Sequence, residues 1–169
     1  MKTKVIILSA FMAVLAIPAA MAQVSETGTA SVTLGPTPLT LSVSMGTVLN
    51  FGNLNVPISQ GTVVVSPVLP PTYNGVVPNA PINASFISFE VSGGASKTYA
   101  ITVPSGSVAL TGASTSTTVT LSAFTATAPT RTLNTSGTDI FGVGATLTLN
   151  PTDKEDTYTG TFPVSVIYN

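Results

Sequence analysis

The chain contains no histidine, no cysteine and no tryptophan, and only 7% of its 169 residues are charged. Each absence removes a class of chemistry. Without imidazole there is no base to activate a serine and no histidine-held metal. Without thiols there is no cysteine nucleophile, no disulfide framework and no attachment point for a lipid. The charged fraction is far below the quarter or so usual in globular domains, so neutral hydroxyls must keep the surface wet. What remains for catalysis is a carboxylate pair or a serine and lysine dyad. Beyond the first turn of the chain the lysines are Lys97 and Lys154, in predicted turns beside Ser96 and Asp153, and Glu90 and Asp139 stand apart from other carboxylates. These residues predict solvated charge, no enzyme and no cofactor.

The beginning of the chain has the pattern of an export signal. Lys2 and Lys4 precede an apolar run over residues 5–16, Pro18 breaks it, and Ala20-Met21-Ala22 sets small residues at the spacing read by signal peptidase. Cleavage is expected before Gln23, leaving residues 1–22 as a signal peptide. The run is short for a bilayer crossing, so no transmembrane anchor is expected. After residue 22 the cations Lys97, Arg131 and Lys154 face Glu26, Glu90, Asp139, Asp153, Glu155 and Asp156, a net charge of −3. Such a chain cannot neutralise a row of phosphates, which excludes nucleic acid as a partner. The remaining length of roughly 147 residues suits one domain that buries a core without staples.

Threonine, serine and valine dominate, and apolar residues recur with period two rather than at helical spacing. The expected fold is all-β. Candidate strands lie at 30–34, then at Leu39, Leu41, Val43 and Met45 after the Pro36 and Pro38 hinge, and at 49–54. A valine-rich run at 62–66 could be buried on both faces. Five prolines between 67 and 81 mark a long loop. Strands resume at 84–91 and 98–103, with Ile87, Phe89, Val91, Tyr99, Ile101 and Val103 inward and Gly93-Gly94 turning between them. Further candidates are 107–110, 117–125, 139–141, 145–149 and 158–168. Nine to eleven short strands at this spacing predict a two-layer Greek-key sandwich, with a closed barrel as the alternative. Asp153-Lys154-Glu155-Asp156 concentrates oxygen ligands of the kind calcium takes, although the lysine opposes a cation and a solvated turn is the expected state.

The two ends carry the functional signal. Phe162, Val164, Val166 and Tyr168 share one face, and the sequence stops one residue later. Together with Leu49-Asn50-Phe51-Gly52-Asn53-Leu54, Gly61-Thr62-Val63-Val64-Val65 and Gly144-Ala145-Thr146-Leu147, this ending resembles the bacterial domain-of-unknown-function family 4402. That family in turn is similar to spore-coat-U and archaic pilin subunits. The resemblance implies an immunoglobulin-like, pilin-like sandwich over residues 36–169 lacking its last strand. It further implies a subunit exported through the periplasm to a cell-surface filament, with a periplasmic chaperone and an outer-membrane usher as partners. In such a filament the chain polymerises with itself by strand addition at an open sheet edge. The residues 23–35 form a candidate donor arm in which Gly28, Ala30, Val32 and Leu34 share one parity. Phe162, Val164, Val166 and Tyr168 would border the acceptor groove. Parity alone leaves open whether residues 30–34 serve a neighbour or form an edge strand of their own domain. The other functional reading is a monomeric adhesin or carbohydrate-binding module, with Tyr73 in the proline-rich loop as its exposed ring.

Overall fold

The computed structural model of the chain describes residues 37–44 and 47–169. The expected signal peptide over 1–22 and the donor arm over 23–35 lie outside the described residues. Within them are eleven strands and no helix: β1 Thr40–Val43, β2 Gly61–Val65, β3 Thr72–Asn74, β4 Ile87–Ser92, β5 Thr98–Thr102, β6 Val108–Gly112, β7 Thr118–Ala126, β8 Thr130–Thr132, β9 Thr138–Leu149, β10 Tyr158–Thr159 and β11 Ser165–Tyr168. One sheet runs β1-β4-β9-β7-β6-β10, with β2 also paired to β9 and β3 to β2, and the second runs β11-β5-β8. Every ladder is antiparallel. Among the described residues both sheets are open, and the arrangement is sandwich-like.

The inward parity of each strand builds a single core. Phe89 and Val91 from β4, Tyr99 and Ile101 from β5, Val119 and Leu121 from β7, and Phe141, Val143 and Leu147 from β9 are all buried. Phe141 stacks on Phe89 with ring centroids 5.4 Å apart and meets Tyr99 at 6.5 Å, which joins the two sheets through aromatic contact. Strand β9 is the common member. Its first half pairs with β4, Thr138 opposite Ser92 through Val143 opposite Ile87, and its second half pairs along the same edge with β2, Ala145 opposite Val65 through Leu149 opposite Gly61. The handover falls at Gly144, where a Cβ would overlap the Val65 carbonyl oxygen. Two residues earlier, a Cβ on Gly142 would lie 2.7 Å from Pro67 Cβ and 2.8 Å from the Phe86 ring. On its other edge β9 pairs with β7 through a bulge between Ser122 and Thr125, and inside that bulge Ala123 takes a left-handed φ of 48°.

Several expectations are corrected. The segments 139–141 and 145–149 are one strand, because the glycines between them serve close approach and do not break the ladder. The stretch 158–168 splits into β10 and β11, since Pro163 has no N–H to give a ladder and Gly160 packs against Leu110. The run 62–66 is buried on one face only, with Val63 and Val65 in the core and Val64 at the surface. Residues 49–54 form isolated bridges at Asn50 and Leu54 in place of a strand, although Phe51 is buried. Val43 shares the parity of Leu41 but is 51% exposed at the end of β1. Strand β8 was not foreseen, and β3 forms inside the expected 67–81 loop.

Two substitutions test this account by urea unfolding at neutral pH. Gly144→Ala should lower stability by about 1–3 kcal/mol, because the methyl group meets main chain that cannot move aside. Ala123→Gly should raise it by up to ~1 kcal/mol, as relief of left-handed strain exceeds the added chain entropy of glycine. Equal stability of both variants and the parent would refute the handover and the bulge as described.

Candidate functional site

The C-terminal strand lies at the margin of the second sheet. Strand β11 pairs with β5, Ser165 opposite Thr102 through Tyr168 opposite Tyr99, and among the described residues nothing pairs with its other edge. Strand β1 is the corresponding margin of the first sheet, paired only with β4. The structure gathers all four residues expected at the groove. Val166 and Tyr168 stand in β11, and Phe162 and Val164 precede it outside any ladder; all four pack on the core yet remain only half-buried. Phe162 lies against Phe124 with centroids 4.9 Å apart. Inward residues of the interior strands, such as Val91 and Val143, are fully buried by comparison. The half-buried row is therefore a core face with one neighbour missing among the described residues. The expected donor residues Gly28, Ala30, Val32 and Leu34 lie outside the described residues.

The two margins meet at one end through Tyr168. Its hydroxyl donates to the Thr37 carbonyl at 2.7 Å and accepts from the Gly94 N–H at 2.6 Å. Gly93 makes the approach possible, because a Cβ there would strike that hydroxyl and lie 3.0 Å from both Leu39 and Leu133. Leu39, just before β1, and Leu41, within it, pack half-buried on the core at the β1 margin. Sequence reasoning placed both in a strand but not at the site; their shared parity next to a sheet margin was the available signal. Phe124 was hidden by the bulge, which shifts the parity of β7 after Ser122.

Three of the carboxylates weighed as catalytic or metal-binding candidates, Asp139, Asp153 and Asp156, hold bonds within the fold. Arg131 from β8 grips Asp139 of β9 in a two-pronged ion pair, Nε to Oδ2 at 2.6 Å and Nη2 to Oδ1 at 2.8 Å, and the buried Tyr99 hydroxyl donates to Oδ2 at 2.8 Å. The Arg131 hydrogen bonds hold the Asp139 carboxyl below its ordinary pKa against the opposing effect of burial, while burial foremost and then Asp139 push the Tyr99 phenol up. Asp139 is thus a clamp between sheets and no free base. In the acidic loop, Asp156 accepts the N–H groups of Ser114, Thr115 and Thr157 and the Thr115 hydroxyl, at 2.7 to 3.2 Å, and those bonds keep it well below the usual carboxylate range. Asp153 accepts the Asn150 N–H at 2.7 Å. Among the described residues no group of three or more carboxylates could hold a metal ion. Tyr73, expected as an exposed ring in a loop, sits half-buried in β3 with its hydroxyl enclosed and without a partner.

With the geometry in place, the comparisons are brief. A family model described as Domain of unknown function (DUF4402) matches residues 40–168, and the chain belongs to that family. No curated protein and no solved structure matches it.

Two measurements check the site. Tyr168→Phe removes both hydrogen bonds that close the end of the seam and should cost about 1–3 kcal/mol, read by denaturant unfolding. The Asp139 carboxyl titrates below its unfolded value, so its contribution is present above roughly pH 4 and is lost as pH falls further. The stability of the parent should therefore drop more steeply below pH 4 than that of Asp139→Asn, which starts lower at pH 7. Parallel pH profiles would contradict the clamp.

Proposed function

From this family membership and the open margin of β11, we propose that the protein is an exported structural subunit of a cell-surface filament, assembled by strand donation between copies. The half-buried row Phe162, Val164, Val166 and Tyr168 carries the reading. A strand laid beside β11 would satisfy its main-chain groups and cover these side chains together, which is how an extended segment adds to a sheet edge. The strand order supports the same view. Strands β1-β4-β9-β7 and β11-β5 correspond to the ABED and FC strands of a constant-type immunoglobulin sandwich, where a further strand, G, borders F. A donated strand beside β11 would take the place of strand G.

The arm over residues 23–35 suits this position. Val32 and Leu34 would each contribute about 1.5–3 kcal/mol on entering the seam. For an antiparallel strand, chain geometry favours a neighbour as the donor. Thr37 is held at the Tyr168 end of β11. An antiparallel strand from the same molecule would need Leu34 beside Phe162, roughly 20 Å from Tyr168 at ~3.3 Å per residue. The three steps from Leu34 to Thr37 span at most about 11 Å. A second copy meets no such limit. The partners in export would be a periplasmic chaperone that shields the seam and an outer-membrane usher.

The mature protein should form fibres visible by negative stain, and deleting residues 23–35 should leave a folded, non-fibrous domain. A synthetic peptide of residues 24–35 added at a hundred times its dissociation constant should then stabilise that domain by about 2.7 kcal/mol. Fibres that survive the deletion, or a domain indifferent to the peptide, would reject strand donation.

A further inference from the structure

A long stretch of this chain carries no charge at all. From Thr27 through Phe89 there is no Asp, Glu, Lys or Arg. That same stretch holds ten of the twelve large apolar residues exposed among the described residues, from Val43 to Phe86. The most compact group lies on the outer face of the first sheet, the face turned away from the core. There Pro67 and Phe86 rest on Gly142, and beyond them the segment 65–71 and residues 84–86 enclose an open cleft of about 420 Å³ with no charged residue in its lining. Val68 and Leu69 rise beside it, 63% and 67% exposed, and Ile140 follows on the same face of β9 at 56%. Glu90, opposite Ile140 in the ladder, marks the border of the uncharged surface.

We propose that this cleft is a self-association surface whose occupant is a second copy of the chain, packed outer face to outer face. Charge selects the partner. The lining holds nothing to attract a phosphate, a lipid headgroup or a charged peptide, so only an uncharged apolar surface gains by docking there. The described part of each copy carries Lys97, Arg131 and Lys154 against Glu90, Asp139, Asp153, Glu155 and Asp156, a net −2, all at or after position 90. Like-charged copies approach at least cost through the side that bears none. A two-fold contact places Val68 and Leu69 of each copy at the cleft of the other, which satisfies the self-complementarity that such symmetry demands. Pro67, Pro70 and Pro71 restrict the strap before contact, so little ordering is lost on binding. Because the cleft shares no lining residue with the β11 margin, both contacts can operate at once, and in a filament this surface would join neighbouring strands side by side. The inference does not rest on strand donation.

Sedimentation velocity on the mature protein separates the two. The Val32→Asp, Leu34→Asp double variant disables the arm and should still show a concentration-dependent dimer, strengthened by sulfate, as apolar burial requires. Adding Val68→Lys and Leu69→Lys to it should weaken that dimer at least tenfold. Adding Ile58→Lys, at a fully exposed position away from the cleft, should leave it unchanged, and circular dichroism confirms that each variant is folded. A monomer at every concentration in the arm variant, or a dimer untouched by the Val68 and Leu69 changes, overturns the inference. So does binding of the monomer to neutral phosphatidylcholine vesicles that depends on Leu69, since that would make lipid the occupant.

Discussion

One strand with two edges has to serve three partners, and that constraint organises the molecule. Strand β9 takes β4 and β2 in succession along one edge and β7 along the other. The succession works only if the chain leaving β2 can cross at the handover, and Gly142 and Gly144 supply the room. The same strand brings Phe141 into the ring contacts at the centre and sets Asp139 where Arg131 and Tyr99 of the second sheet can reach it. Core packing, sheet order and the ionic clamp between layers all follow from the placement of these twelve residues.

A chain with so few charges uses its carboxylates as structural acceptors. Asp139 joins the sheets, Asp156 gathers the main chain of the β6–β7 turn, and Asp153 holds the start of its own loop. In a surface otherwise wetted by hydroxyls, these bonds have few competing ions nearby, and each carboxylate satisfies donors that a neutral side chain would leave unmet. Beside these lies an uncharged stretch from Thr27 to Phe89 with apolar residues exposed, and the margins at β1 and β11 are held together at one end by Tyr168. An open margin and an uncharged face are both costly in isolation, through unpaired main chain and exposed apolar area, and both costs fall on association.

Period-two alternation made the inward residues of β4, β5 and β11 legible, because side chains on a strand alternate by geometry whatever they pair with. Phe89, Val91, Tyr99 and Ile101 could be named as core from spacing alone. The shared face of Phe162, Val164, Val166 and Tyr168 was legible for the same reason. Gly142 and Gly144 were not, since a glycine in a strand reads equally as a break or as a site of close approach, and only the position of Val65 and Pro67 distinguishes them. Tyr73 misled because prolines on both sides signal a loop, while pairing with Val63 across β2 draws it inward.

The amino-acid sequence by itself determined the all-β class, the exclusion of histidine and cysteine chemistry, and the apolar face that ends at Tyr168. These depend on residue type and local period, which need no partner to be defined. Tertiary structure alone decided that 139–149 is one strand, that Asp139 serves Arg131 and Tyr99, that Tyr168 reaches the main chain at Thr37, and that Pro67 and Phe86 gather over Gly142. Each of these is a contact between segments far apart in the chain, set by which edges pair and in what register. Alternation within a segment carries no record of the neighbour it will meet.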